Sequence, residues 1–191
     1  MFGPRYESNR HDASVIFCQS QDCRNPSLDG LQPVTQGDGT KVFLSQFRET
    51  RALSIDLASP AALNYLDKGF YSVERDSETT GFRWSFGMAS FLKLPLQTHT
   101  DYRLAIEAEP LSVAGMTQTL TIKLNGWTAG RMRMDPGRKD YFIELPADRV
   151  QAVNRIAFLY AYTFSPSSLR MSGDSRILAM RFWRIAVAPI Q

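Results

Sequence analysis

The sequence predicts an all-β chain: an antiparallel β-sandwich, jelly-roll-like, with at most one or two short helices. Three observations carry this expectation. Apolar residues recur at every second position in short runs, Gly, Pro and Asn turns separate those runs, and only one stretch carries helix start signals. A length of 191 residues with 43% hydrophobic and 21% charged residues suits one packed core.

Residues 1–50 are polar and rich in turns, with NPSLDG and QGDGT separating SVIFC from KVFLSQF. They read as an extended lead-in or docking arm, and residues 51–191 as the sandwich. ALSIDL at 52–57 alternates as a strand does. SPAALNYL at 59–66 reads as a short helix, with Ser59 as N-cap and Pro60 at the first helical position.

In YRLAIEA, Tyr102, Leu104, Ile106 and Ala108 share one face while Arg103 and Glu107 take the other. TQTLTIKL repeats the pattern, with Leu120, Ile122 and Leu124 inside. The following Asn125-Gly126 suits a tight primed hairpin turn, so WTAGRMRM should return antiparallel. DYFIELP at 140–146 is a further strand. NRIAFLYAY at 154–162 is apolar on both sides, which predicts a central position, with the hydroxyls of Tyr160 and Tyr162 brought to the sheet edge. RILAMRFWRIAVAPI fits a long strand or an amphipathic helix; its β-branched ending and the preceding SGDS turn favour the strand.

Chemistry-bearing motifs are few. There is no Gly-x-Ser-x-Gly elbow, phosphate-cradling loop or HExxH, and the histidines, His11 and His99, have no partner at motif spacing, so no enzyme activity is expected. Neither a metal nor a cofactor is indicated. The net charge of +3 comes from scattered cations, and the densest group, RMRM with GRK, is interrupted by Asp135, which argues against a nucleic-acid partner. Cys18 and Cys23 have a spacing compatible with a small loop disulfide in an oxidising compartment, unlike that of a zinc or redox site. No apolar run reaches the roughly 20 residues that cross a bilayer. MFGPRYESNR lacks a signal-peptide core, so an extracytoplasmic role would make this chain a piece of a longer one.

The polar set of interest is Glu74, Arg83, Asp174 and Arg176. Two roles are open to it: a charge network that pins strand register, or a set of groups that hydrogen-bond sugar hydroxyls beside an aromatic surface. Trp127, after the hairpin turn, is the aromatic expected to be exposed. Trp183 is expected in the core, and Trp84 in an aromatic core with Phe82, Phe86 and Phe91, or on a ligand.

Glu74, Gly81, Arg83, Trp84, Ser85, Pro95, Asn154, Asp174, Ser175, Arg176 and Leu178 also follow an ordered pattern, E…GRWS…LP…N…DSRxLG. In this order the chain resembles the β-sandwich accessory domain appended to bacterial membrane-anchored glycosyltransferases and phosphoglycerol-transferase-like proteins of cell-envelope polysaccharide synthesis. The resemblance covers about residues 69–188; Phe82 is an insertion in the pattern, and Ala179 replaces its final Gly. It implies a non-catalytic, carbohydrate-binding-like module in the periplasm or otherwise outside the cytoplasm. The implied partner is a saccharide or glycolipid, or else a membrane-anchored enzyme of the same chain or complex to which the domain docks without binding sugar. Trp127, Trp84, Arg83, Glu74, Asp174 and Arg176 are the ligand-facing residues expected under the first alternative.

Overall fold

Alternating sequence becomes a sandwich when each strand's apolar row is buried and its polar row stays wet. The computed structural model describes residues 52–77 and 80–190, together with the backbone of three strands nearer the N-terminus. The chain divides into two compact units, Met1–Arg48 and Glu49–Gln191. In the first, β1 (Ala13–Cys18), β2 (Pro33–Thr35) and β3 (Lys41–Gln46) form an antiparallel sheet in the order β1-β3-β2. Cys23 and the side chain of Cys18 lie outside the described residues, and the expected disulfide with them.

The second unit is an antiparallel β-sandwich. One sheet has the order β11-β10-β13-β8-β5, formed by Trp127–Met134, Gln118–Leu124, Val153–Tyr160, Ala89–Pro95 and Leu66–Lys68. The other has the order β12-β9-β14-β7-β6, formed by Lys139–Leu145, Tyr102–Pro110, Met180–Pro189, Gly81–Ser85 and Phe70–Arg75; β4 (Leu53–Asp56) continues the β7 edge along β14. As expected from its two apolar faces, β13 is central. The segment before the C-terminus is one ten-residue strand at the heart of the larger sheet.

The inner rows are those read from the sequence. Leu104 and Ile106 of β9 meet Leu120, Ile122, Ile156 and Phe158 from the opposite sheet in one core, all fully buried. Each such side chain is worth about 1.5–3 kcal/mol of burial. The Asn125-Gly126 turn has φ of 51° and 90°, the left-handed pair that a primed turn needs. The SPAALNYL stretch forms a short 3₁₀ turn, Pro60–Asn64, with Ser59 Oγ accepting from Ala61 N at 3.2 Å. It is too short to add an α-helix to the all-β unit.

Two aromatic expectations change. The Tyr160 hydroxyl does not reach a sheet edge: it donates to Ser90 Oγ at 2.7 Å inside the core, and burial pushes its phenol well above the ordinary tyrosine range. The Tyr162 hydroxyl is likewise buried, donating to Leu111 O at 2.9 Å. Phe86 and Phe91 do not join Trp84. Phe86 sits exposed at a turn against Tyr71, and Phe91 lies on the outer face of the other sheet beneath Lys68 and Arg155.

The sandwich has two rims. Connections 86–88, 111–117, 135–138 and 161–179 cluster at one, the upper rim, beyond Ser85, Pro110 and Met180. At the lower rim lie the 125–126 turn and connections 96–101 and 146–152, and there the chain enters at Leu53 and leaves at Pro189.

Candidate functional site

Of the four charged groups singled out in the sequence, three converge. β6 presents Glu74, and the long 161–179 connection brings Asp174 and Arg176 against it. The Arg176 guanidinium forks to both: Nη1 donates to Glu74 Oε1 at 2.5 Å, Nη2 to Asp174 Oδ2 at 2.7 Å, and Nε to both Asp174 oxygens at 3.1 Å. The same guanidinium lies 5.1 Å from the Tyr71 ring centroid. These hydrogen bonds hold the Asp174 carboxyl below the usual carboxylate range and raise Arg176 above its own. With its donors committed in this way, Arg176 clamps the connection to the edge hairpin.

Arg83 stands apart from the three. Its side chain points inward from β7, where Nε donates to Leu57 O at 2.8 Å and Nη1 to Tyr71 O at 3.0 Å, and burial lowers its pKa. As a ligand contact it is corrected by its setting: its donors serve main-chain carbonyls that would otherwise be unsatisfied. Trp84 is corrected likewise. It is buried on the outer face of the larger sheet with Phe82, Leu111, Leu178 and Trp183, under the 161–179 connection.

On this face, cations and rings alternate. The Arg181 guanidinium lies 5.0 Å from the Trp84 centroid, 5.2 Å from Phe82 and 5.5 Å from Trp183, and Nη2 contacts Glu109 at 3.0 Å. Arg181 Nε is buried without a hydrogen bond among the described residues, so the rings and Glu109 stabilise this cation. Arg138, from the 135–138 turn, covers Trp183 at 4.6 Å and donates to Glu107 through Nε at 2.7 Å and Nη2 at 2.6 Å. Trp183 is therefore only 4% exposed although it belongs to the outer face, which a bulge at Phe182/Arg184 lets it do.

Towards the lower rim no described connection lies over the same face. The register sets Phe142, Ala105, Ala186 and Ser54 side by side across β12, β9, β14 and β4. Their flanking residues Leu104, Ile106, Ile185, Val187 and Ile55 are buried in the core, so this row points outward. Its residues are small except for Phe142, which is 60% exposed.

One flank of the row is Asp140, Glu107, Arg184 and Asp56, with Arg184 contacting Glu107 at 3.4 Å and Asp140 at 3.7 Å. The other flank is Glu144, Arg103 and Ala188, with Arg103 and Glu144 3.9 Å apart. The result is a shallow trough across the strands, floored by small side chains and walled by charge. At its β12 end it opens into a depression of about 500 Å³ lined by Arg103, Phe142, Ile143 and Glu144.

Sequence reasoning missed this trough. Its signal was present in the wet rows of β9 and β14, where Ala105, Ala186 and Ala188 interrupt the charges, and in the apolar Phe142 on the polar side of β12.

Trp127 is exposed at 38%, as expected, with the Arg149 guanidinium 5.6 Å from its ring. It belongs to β11 of the smaller sheet, whereas Glu74, Arg83, Trp84 and Arg176 belong to the larger sheet or the connection over it. The structure therefore does not bring the expected ligand-facing residues together on one surface. Among the described residues, no group of His, Cys, Asp and Glu side chains is arranged to hold a metal ion, and no helix is long and apolar enough to cross a membrane.

No family model matches the sequence, and no curated protein matches it. Solved structures similar to the chain include the C-terminal CBM6 of a marine laminarinase from Zobellia galactanivorans, at 13% identity over 72% of this chain and 98% of that one, with a TM-score of 0.42. Another is a family 35 carbohydrate binding module from Clostridium thermocellum, at 8% identity over 72% and 98%, with a TM-score of 0.43. A CBM35 from Cellvibrio japonicus has 12% identity over 72% and 92%, with a TM-score of 0.45.

Proposed function

We propose that the second unit is a non-catalytic saccharide-binding module and that its ligand lies in the trough across the outer face of the larger sheet. The observation that carries this reading is the row Phe142, Ala105, Ala186 and Ser54 between two charged flanks. A sugar ring offers a C–H face to an aromatic platform and a circumference of hydroxyls to paired donors and acceptors. Phe142 supplies the platform, and Arg184, Asp140, Arg103 and Glu144 supply both hydrogen-bonding senses within reach of the floor. The alanine floor lets the chain of the ligand approach the sheet, and the trough's open run across four strands suits an extended oligosaccharide.

The cation–ring contact of Arg138 and Trp183 serves this site indirectly. Arg138 and Trp183 fix Glu107, and Glu107 in turn holds Arg184 at the trough wall. An extracytoplasmic setting beside a membrane enzyme of envelope glycan synthesis is the context that the pattern E…GRWS…DSR suggests, and it belongs to this proposal.

The test is affinity electrophoresis of the full chain through gels containing single polysaccharides, followed by calorimetric titration with oligosaccharides of any that retard it. Phe142→Ala and Ala186→Trp should each abolish retardation while leaving the melting transition near that of the parent. Trp127→Ala should retain binding. Loss with Trp127→Ala but not with Phe142→Ala would move the site to the smaller sheet, and no retardation by any polysaccharide would overturn the proposal.

A further inference from the structure

The upper rim carries apolar side chains that the core does not use. Phe86 and Met88 flank Gly87 at the tip of the β7–β8 turn, Met116 lies in 111–117, and Met171 and Ile177 lie in 161–179; all are exposed, Phe86, Met88 and Met171 by more than half. They come from separate connections but are linked. Phe86 packs edge-on to Tyr71, whose hydroxyl donates to Ile177 O at 3.5 Å, and Thr163 Oγ1 approaches Met88 Sδ at 3.5 Å.

The connections that carry them are poor in charge. Residues 86–88 and 111–117 carry no charge, and 161–173 carries only Arg170. Asp174 and Glu74, the acids nearest this rim along the connection and β6, share one cation, Arg176, and Asp135 of the 135–138 connection is held by Lys139 and Arg133. Arg133, at the β11 end, is largely exposed, with Asp135 at 3.8 Å. Serines 165, 167 and 168 fill the turn between these groups, bonded among themselves.

We infer that the upper rim docks on an anionic lipid bilayer, with Phe86, Met88 and Met171 entering the headgroup–acyl boundary and Arg170 and Arg133 meeting lipid phosphates. Separate apolar tips, each on its own turn and spaced by serine and arginine, match the graded polarity of a bilayer surface, where apolar burial and attraction to anionic lipid add. A protein partner would instead call for a flat, continuously packed centre. Connections 86–88, 111–117, 135–138 and 161–179 carry Arg138, Arg170 and Arg176 against Asp135 and Asp174, and this cationic excess, with both acids already ion-paired, is the charge complement of an anionic surface. The backbone enters at Leu53 and leaves at Pro189, both at the opposite rim. This inference is independent of the trough, which lies towards the lower rim.

The test is flotation of the full chain with vesicles of phosphatidylglycerol and phosphatidylcholine in equal parts, and with vesicles of phosphatidylcholine alone. The parent should float with the anionic vesicles and less with the neutral ones. The Phe86→Ser, Met88→Ser double variant should lose about tenfold in partition, as expected for removing two half-buried apolar groups. Its melting curve should match the parent's, because neither side chain belongs to the core. Arg170→Glu should weaken flotation with anionic vesicles alone. Phe86→Trp should show indole fluorescence quenched by brominated lipid. Absence of flotation, undiminished flotation of the double variant, or an unquenched indole in vesicle-bound protein would each overturn the inference. So would a parent dimer that the double variant abolishes, since that would assign the rim to a second copy.

Discussion

Arg176 shows how a residue legible as important need not be a ligand contact. Its planar fork answers Glu74 and Asp174 together, across a sequence separation of more than a hundred residues for Glu74. A lysine keeps the charge but offers one point instead of a fork. Arg176→Lys should therefore lower stability by about 1–2 kcal/mol in denaturant titration, with the change confined to the 161–179 connection in hydrogen exchange. Acid should loosen the same contact. Arg176 holds Asp174 below the usual carboxylate range, so the stabilisation is complete above the unfolded aspartate value of about pH 4 and fades as pH falls through the depressed value. Parent stability should drop more steeply than that of Asp174→Asn in that acidic window; parallel slopes would contradict the clamp. The sequence showed the charge types, but not that Arg83 would turn inward to Leu57 O while Arg176 took both acids. That division depends on β6 and β7 being paired and on a connection folding back over them.

At the scale of elements, the residues shared with the E…GRWS…DSR pattern are largely joints. Gly81 packs so closely on Ala58 that an added Cβ would lie 2.6 Å from the Ala58 Cβ, and Ser85 Oγ accepts from Met180 N at 2.9 Å. Asn154 is fully buried: its Oδ1 accepts from Gln151 N at 2.8 Å and Asn125 Nδ2 at 2.9 Å, and its Nδ2 donates to Gln151 O and Leu94 O. It ties two lower-rim connections to β8. Asn154→Ala would leave several buried groups unsatisfied and should cost about 2–3 kcal/mol in thermal or denaturant unfolding. A loss below a few tenths would show that water replaces the amide without penalty. Strand positions were legible because one wet face imposes a period of two, as in β9 and β10. The bulge at Trp183 was not, because a single extra residue in RFWRI breaks the alternation without any Gly or Pro to mark it. The short helical turn at 60–64 was legible through Ser59 and Pro60, but not its 3₁₀ form.

For the whole molecule, the sandwich offers two differentiated surfaces: a trough open on one half of the larger sheet and an apolar rim at the end that caps the other half. Connections 111–117 and 161–179 explain the contrast, since they bury Trp84 and Trp183 with Leu111 and Leu178 and do not extend over the lower half of the face. The fold class could be read from the sequence because burial patterns are local. The trough could not, because Phe142, Ala105, Ala186 and Ser54 are distant in sequence and meet only through the register of four strands. If the trough holds sugar, salt should weaken binding of a neutral oligosaccharide only slightly, since the interaction rests on stacking and short hydrogen bonds.

The most direct measurement is an amide chemical-shift map of the isotopically labelled full chain, titrated with an oligosaccharide that retards it in affinity gels. Shifts concentrated at 103–107, 140–144 and 184–188, and absent from Phe142→Ala, are the expected result. Shifts gathered instead around Trp127 or along 161–179, with the trough silent, would contradict the account.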